Sequence, residues 1–229
     1  MRTDKNTAII LAGGKGKRMN SSVPKQYLLL RDKPVLFYAL NTFNESDLID
    51  EIILVTGAEQ IEYCKTEIVE KYGITKVSSI IEGGSERYLS VYNGIKAVKS
   101  ADNIFIHDGA RPFVTREIIT RTYESVLTDK ACVAAMPVKD TIKIADQDGY
   151  VRETPPRALV WTIQTPQVFT KKLIESAYQK LMESGRTDVT DDAMVAETML
   201  RVKVKLVEGS YQNIKITTPE DLITGEHYI

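Results

Sequence analysis

The sequence predicts a three-layer α/β domain on a mainly parallel sheet, with a β-arm projecting from it. Three observations predict it. Short apolar runs alternate with helical patterns through the first 137 residues. Several of those runs end in glycine-bearing turns. Later in the chain, two short alternating runs flank an Asp-Gly turn. Alternation of the first kind is the signature of βα units whose strands lie parallel and are covered on both faces.

The strands are expected at 8–11, 52–55, 77–81, 104–106 and 132–136, each a run of apolar residues bounded by turn residues. Helical patterns fall between them near 34–43, 59–72, 86–98 and 116–127. Ser85 and Thr115 stand ahead of two of these as side-chain oxygens able to cap free N–H groups. From Val138 to Ala145 apolar and polar residues alternate, Asp146-Gln-Asp-Gly-Tyr turns the chain, and Val151-Arg-Glu-Thr continues before Pro155-Pro156. This reads as a β-hairpin arm at about 138–160. An arm polar on both faces needs another surface to lie against, which points to a homodimer. Beyond it come Gln164-Thr-Pro-Gln-Val-Phe, a helix near 171–184 and Thr187 to Asp192 ahead of another helix. A strand at 202–207, an Asn213–Thr217 strand carrying Lys215, and a final helix opened by Thr218-Pro219-Glu220-Asp221 complete the pattern. No repeat or low-complexity linker divides the chain, so residues 1–229 are read as one domain.

Composition excludes several classes. A net charge of −1 offers no global attraction to nucleic acid or to an anionic membrane, so an anion site must come from local clustering. The polar N-terminus has no signal-peptide core, and no apolar stretch approaches the length of a membrane helix. Cys64 and Cys132 match no metal spacing and read as free thiols in a reducing cytoplasm.

The chemistry-bearing residues gather where strands end, the edge at which parallel α/β sheets bind ligands. Ile9-Ile-Leu-Ala-Gly-Gly-Lys-Gly-Lys-Arg18 runs from a buried strand into glycines and then cations, with Lys25 a short loop further on. Glycines there bring backbone N–H groups close to an anion, and Lys15, Lys17, Arg18 and Lys25 add charge. Neither the Walker A loop nor the dinucleotide fingerprint fits, because the closing Gly-Lys-Ser/Thr and the third glycine are missing. Asp108 closes the fourth strand in His107-Asp-Gly-Ala-Arg-Pro, placed to hold magnesium against phosphates or a ribose hydroxyl. The competing reading is a turn-capping aspartate paired with Arg111, and His107 reads as structural. Gly83-Gly84-Ser85 opens a helix and suits a base edge or a phosphate, the competing reading being a plain strand-to-helix connection. Asp191 and Asp192 read by default as a helix cap and first-turn acid. There is no Ser-His-Asp arrangement, no metal-binding histidine set and no activated cysteine. Glycines, cations and one acid at strand ends are the equipment of phosphoryl or nucleotidyl transfer.

These motifs together resemble the 2-C-methyl-D-erythritol 4-phosphate cytidylyltransferases. The matching stretches are LAGGKGKRM (11–19), PKQY (24–27), EGGSERYLSV (82–91), HDGARPFV (107–114), PVKDTIK (137–143), QTPQVF (164–169), TDDA (190–193) and VEGSYQNIKITTPEDL (207–222). The resemblance implies a Rossmann-like nucleotidyltransferase domain whose arm interlocks in a homodimer. It also implies a Mg²⁺-dependent transfer of CMP from CTP to methylerythritol phosphate with release of pyrophosphate. By motif position it implies Arg18 and Lys25 as transition-state stabilisers, with the backbone at Ala12, Gly13, Gly14 and Gly16 cradling the triphosphate beside Lys17. Gly84, Ser85 and Ser90 would read the cytosine, and Asp108 would serve ribose and metal. Thr141 and Arg157 from the partner's arm, with Lys215, would hold the methylerythritol phosphate, and Arg111, Thr165 and Thr190 would complete the binding residues. Ala12-Gly13-Gly14 is more like the related ribitol-5-phosphate cytidylyltransferases, so ribitol 5-phosphate stands as the alternative substrate. A nucleotide-binding glycosyltransferase-like or regulatory protein on the same fold is a more distant reading.

Overall fold

The structure, a computed structural model, describes residues 2–14, 19 and 23–229. The strands are β1 (Asn6–Ala12), β2 (Leu29–Leu30), β3 (Lys33–Pro34), β4 (Glu51–Thr56), β5 (Val77–Glu82) and β6 (Asn103–Asp108). They continue with β7 (Ala131–Pro137), β8 (Ile144–Ala145), β9 (Val151–Glu153), β10 (Trp161–Thr170) and β11 (Lys205–Glu208). The helices are α1 (Val35–Glu45), α2 (Ile61–Tyr63), which continues as a π-helical stretch over Cys64–Glu70, α3 (Arg87–Ala97) and α4 (Arg116–Asp129). The last three are α5 (Lys171–Ser184), α6 (Asp192–Leu200) and α7 (Pro219–Glu226).

Seven strands form one sheet in the order β11-β7-β10-β6-β1-β4-β5. β1 pairs parallel with both β4 and β6, β4 with β5, and β11 with β7, while β10 alone runs against its neighbours. Side chains on a strand alternate between faces, and both faces are buried here. Ala8, Ile10, Ile52, Leu54 and Phe105 pack beneath α1, the Cys64–Glu70 turn and α4. Ile9, Ile53, Val55, Ile104 and Ile106 pack against α3, α5 and α6 on the other face. That is why these strands read as unbroken apolar runs. Burying one such side chain is worth about 1.5–3 kcal/mol. Among the described residues no helix is long and apolar enough to cross a membrane.

The expected elements hold with corrections at specific places. The strand over Gln164–Phe169 was not expected, because Pro166 lacks an N–H and polar residues surround it. β10 accommodates it through a cis Thr165–Pro166 peptide and a bulge, at which pairing passes from Ile163–Ala135 to Gln167–Val133. The 202–207 strand is confined to Lys205–Glu208. Lys215 does not lie in a strand: residues 213–217 are an irregular extended segment, tied to the body where Ile216 N–H donates to Ala110 O at 2.8 Å. Thr115 caps α4 as expected, accepting from Ile118 N, but Glu86 rather than Ser85 stands at the start of α3, and it makes no side-chain cap. Thr218 and Asp221 form a reciprocal capping box at α7.

The arm is a shorter ladder than its alternation suggested, β8 against β9, because Val138–Lys143 finds no strand partner. Its turn is organised by Asp146, whose Oδ1 accepts from Asp148 N and Tyr150 N, while Gly149 takes φ +87°. None of residues 139–159 is buried, and Tyr150, Val151 and Leu159 stand 74%, 61% and 78% exposed. At the arm's root, Tyr211 donates to Pro137 O and lies under the Lys139 ammonium.

Candidate active site

The site lies at the carboxyl ends of β1, β5 and β6, as the parallel topology requires. β1 ends at Ala12, and Gly13 and Gly14 emerge exposed. The turn Lys25–Tyr27 folds back beneath them. Gln26 Nε2 donates to Ala12 O and, at 3.0 Å, to Gly14 O. Tyr27 OH reaches Ala12 O and is hydrogen-bonded to Thr56 Oγ1, with the buried Cys64 thiol donating to it at 3.4 Å. The carbonyls of the loop are therefore tied to the protein, which sets Lys25, half buried, beside the strand end. A methyl group at Gly13 would meet nothing closer than Thr56 C at 3.7 Å, and at Gly14 it would meet open space. An alanine at 13 would fit the same packing against the protein. Lys15, Gly16, Lys17 and Arg18 lie outside the described residues.

At the end of β5, Gly84 is required by space: a Cβ there would strike Leu89, including its backbone. Its N–H donates to Ser90 Oγ at 3.0 Å, and the Ser90 hydroxyl turns back toward Gly84 O and Glu86 O. Ser90 is buried, whereas Gly84 and Ser85 face solvent. The result is a pinned polar edge.

Asp108, the last residue of β6, is the electrostatic centre. Lys215 Nζ lies 2.6 Å from its Oδ2 and Arg87 Nε 3.3 Å from its Oδ1. Burial opposes ionisation of Asp108, but the charges of Arg87 and Lys215 outweigh it and hold the carboxyl well below the usual carboxylate range. Arg87 in turn grips Asp192 through both terminal nitrogens, at 3.0 and 2.8 Å. The sequence reading of Asp108 changes accordingly. Asp108 does not pair with Arg111, whose side chain donates to Asn213 O and Ile163 O. Asp191 is the α6 cap, accepting from Met194 N, and Asp192 is the first-turn acid, both as expected, with Asp192 in addition wholly buried in the ion pair.

His107 is structural, as its sequence context indicated. Its ring is fully buried, with Nε2 3.1 Å from Arg111 O and Nδ1 2.9 Å from Thr165 Oγ1, which also accepts from Asp108 N. One assignment satisfies all three bonds: a neutral ring donating through Nε2 and accepting the Thr165 hydroxyl at Nδ1. Burial pushes its pKa down to about 4. A depressed folded pKa means that the neutral ring's contribution is complete above the unfolded value near 6.5 and is lost as pH falls through about 4. Unfolding free energy is therefore expected to fall by roughly 3 kcal/mol over that window. Denaturant titrations at pH 7 and pH 4 check this, and His107→Gln should flatten the slope between them.

Asn213 completes the floor, donating through Nδ2 to Thr165 O and Gln164 Oε1. It anchors the segment that carries Lys215. The structure thus unites Asp108, Lys215, Arg111 and Thr165 in one bonded network, and sets Ala12–Gly14 and Lys25 together at the end of β1. It does not bring Thr141, Arg157 or Thr190 into that network. Thr141 and Arg157 are exposed on the arm, where Arg157 donates to Lys139 O, and Thr190 is exposed ahead of α6. Arg87 was missed. Its signal was a cation in the first turn of a helix, where the macrodipole disfavours positive charge unless an acid answers it.

A carboxylate held between two cations, with glycine loops at neighbouring strand ends, fits the class of nucleotide-binding α/β transferases, which work by positioning and charge. Comparison with known proteins narrows this. Residues 6–229 match the family model described as 2-C-methyl-D-erythritol 4-phosphate cytidylyltransferase. The chain is 50% identical over 223 residues to the protein of that name from Lachnoclostridium phytofermentans, covering 97% of this chain and 95% of the relative. It is 53% identical over 218 residues to the one from Lachnospira eligens, covering 95% and 96%. The crystal structure of 4-diphosphocytidyl-2C-methyl-D-erythritol synthase from Anaerococcus prevotii superposes with a TM-score of 0.87 at 40% identity, over 98% of this chain and 96% of that one. The chain belongs to the 2-C-methyl-D-erythritol 4-phosphate cytidylyltransferase family.

Proposed function

We propose that this protein transfers CMP from CTP to 2-C-methyl-D-erythritol 4-phosphate, giving 4-diphosphocytidyl-2-C-methyl-D-erythritol and pyrophosphate, in the non-mevalonate route to isoprenoids. The observation that carries the reading is the family match across residues 6–229, a span that includes every strand end of the site. A phosphate oxygen of the alcohol substrate attacks the α-phosphorus of CTP, a new P–O bond forms, and the bond to the β-phosphate bridging oxygen breaks. Negative charge grows on the α-phosphoryl oxygens and the leaving pyrophosphate. Lys25, with Arg18, neutralises it, while backbone N–H groups at the end of β1 orient the triphosphate. Gly84 and Ser90 present the base-reading edge. Lys215, Arg157 and Thr141 hold the alcohol phosphate. Product analysis by ³¹P NMR tests the reading: CTP plus methylerythritol phosphate should give a diphosphate diester and free pyrophosphate.

Mg²⁺ is the expected cofactor. Among the described residues no cluster of three or more acids, histidines or cysteines is placed to hold a metal. A single strand-end carboxylate fits magnesium, which takes one or two carboxylates and fills its other positions with phosphates and water, once Lys215 releases the Asp108 oxygen it holds. Asp108 would hold it, and the ion would supply neutralisation of the triphosphate. Activity is expected to vanish with EDTA and to return with added Mg²⁺.

A homodimer built through the arm is supported by the exposed Tyr150, Val151 and Leu159 and by the absence of Arg157 and Thr141 from their own chain's Asp108 network. Arg157→Ala is expected to raise KM for the alcohol phosphate and leave that for CTP nearly unchanged. Mixing it with Lys25→Ala should restore activity, because one site of each mixed dimer receives both residues intact. No recovery after confirmed subunit exchange would assign Arg157 to its own chain's site. The buried free thiols of Cys64 and Cys132 suit a reducing compartment such as the cytoplasm.

A further inference from the structure

Arg87 has no part in the chemistry just described, yet it joins two acids at the strand ends. Its Nε meets Asp108 Oδ1 at 3.3 Å, and its terminal nitrogens hold Asp192 at 3.0 and 2.8 Å. Tyr178 OH then donates to Asp192 Oδ1 at 2.6 Å. Asp192 and Tyr178 are wholly buried. Three elements, α3, β6 and α6, therefore meet through one guanidinium, and α5 joins them through Asp192. Only arginine does this, because its planar fork grips one carboxylate with two nitrogens and leaves the third for another.

Lys215 is a different kind of partner. It is a single ammonium on a flexible stem, its side chain is 36% exposed, and it binds the other oxygen of Asp108. Asp108 thus has one cation held by further partners, Arg87, and one, Lys215, that is partly exposed. We propose that Arg87, anchored by Asp192 and Tyr178, is a positioning residue that keeps the Asp108 carboxylate facing the nucleotide, both while Lys215 binds it and after Lys215 leaves it for the phosphate of the second substrate. This rests on the cytidylyltransferase reading. When Lys215 moves, Oδ2 opens toward the nucleotide while Oδ1 stays bound, so the carboxylate does not rotate.

Two variants of the full chain test this. In Arg87→Lys the charge remains, but one ammonium cannot span both acids. CTP affinity by calorimetry and kcat/KM for CTP are expected to fall about 10- to 100-fold, the usual cost of removing an orienting partner behind a ligand-binding group. KM for the alcohol phosphate should stay within about twofold, a split that marks a loss on the nucleotide side. Tyr178→Phe, which deletes only the outermost hydroxyl, should shift the same constants in the same direction by less. Wild-type CTP affinity in folded Arg87→Lys overturns the proposal, as does a loss for both substrates that merely tracks the melting temperature. If Arg87→Lys does not fold, Tyr178→Phe decides, and unchanged CTP affinity there overturns it. Direct CTP binding keeps this separate from the function reading, which fails instead if the unaltered protein forms no pyrophosphate from CTP and methylerythritol phosphate.

Discussion

Asp108→Asn is expected to lower kcat/KM by roughly a thousandfold, the scale of losing a preorganised charged group at a phosphoryl centre. Asparagine has nearly the same shape and still accepts a hydrogen bond, so the loss isolates the charge. Two consequences separate this variant from a merely misfolded one. Lys215 loses the anion that neutralises it, while Arg87 keeps Asp192, so stability should fall by about 1–2 kcal/mol, the scale of a lost charge-assisted hydrogen bond discounted for the exposure of Lys215. The pH dependence should also change. The Asp108 carboxyl is depressed in the folded protein, so its stabilisation is present above the unfolded carboxylate range near 4 and is lost as pH falls below it. Asp108→Asn should remove that part of the acid-side loss. Steady-state kinetics and denaturant titrations at pH 7 and pH 3 check both. Near wild-type turnover would remove Asp108 from the mechanism.

Lys25→Ala is expected to lower kcat by roughly 10²–10³-fold, with smaller changes in either KM. The reason is timing. Charge on the α-phosphoryl oxygens grows toward the transition state, so a cation placed there contributes more to it than to the bound substrates. The melting temperature should change little, because Gln26 and Tyr27 make buried ties from the turn to Ala12 and Gly14 that the substitution leaves in place. An unchanged kcat would exclude Lys25 from transition-state stabilisation.

Much of the fold was legible because the sheet is buried on both faces. Ile9-Ile10-Leu11 and Ile52-Ile53-Leu54-Val55 divide between two cores, and a continuous apolar run shows this directly. β10 was not legible for the converse reason. Gln164, Thr165 and Gln167 serve as polar connectors rather than core: Gln164 holds Ser210, Thr165 bonds His107 and Asp108, and Gln167 caps the approach to α6 through Ala193 N and Asp191. Only Val168 and Phe169 of β10 reach these two cores, too short an apolar run to mark a strand.

The same split runs through the site. Asp108 was found because an apolar strand ends in an acid, and strand ends are where ligands bind. Its partners were not, because Arg87 lies 21 residues before it and Lys215 lies 107 after it. Asp192 is the first-turn acid it looked like, and the fold also brings it within reach of a guanidinium 105 residues away. Thr141 and Arg157 were named through the family resemblance, and one chain leaves them apart from Asp108.

The most direct measurement is pyrophosphate release from CTP in parallel reactions with methylerythritol phosphate and with ribitol 5-phosphate. Release with methylerythritol phosphate, and far slower release with ribitol 5-phosphate, is the expected result. Release with ribitol 5-phosphate and none with methylerythritol phosphate would contradict the assignment.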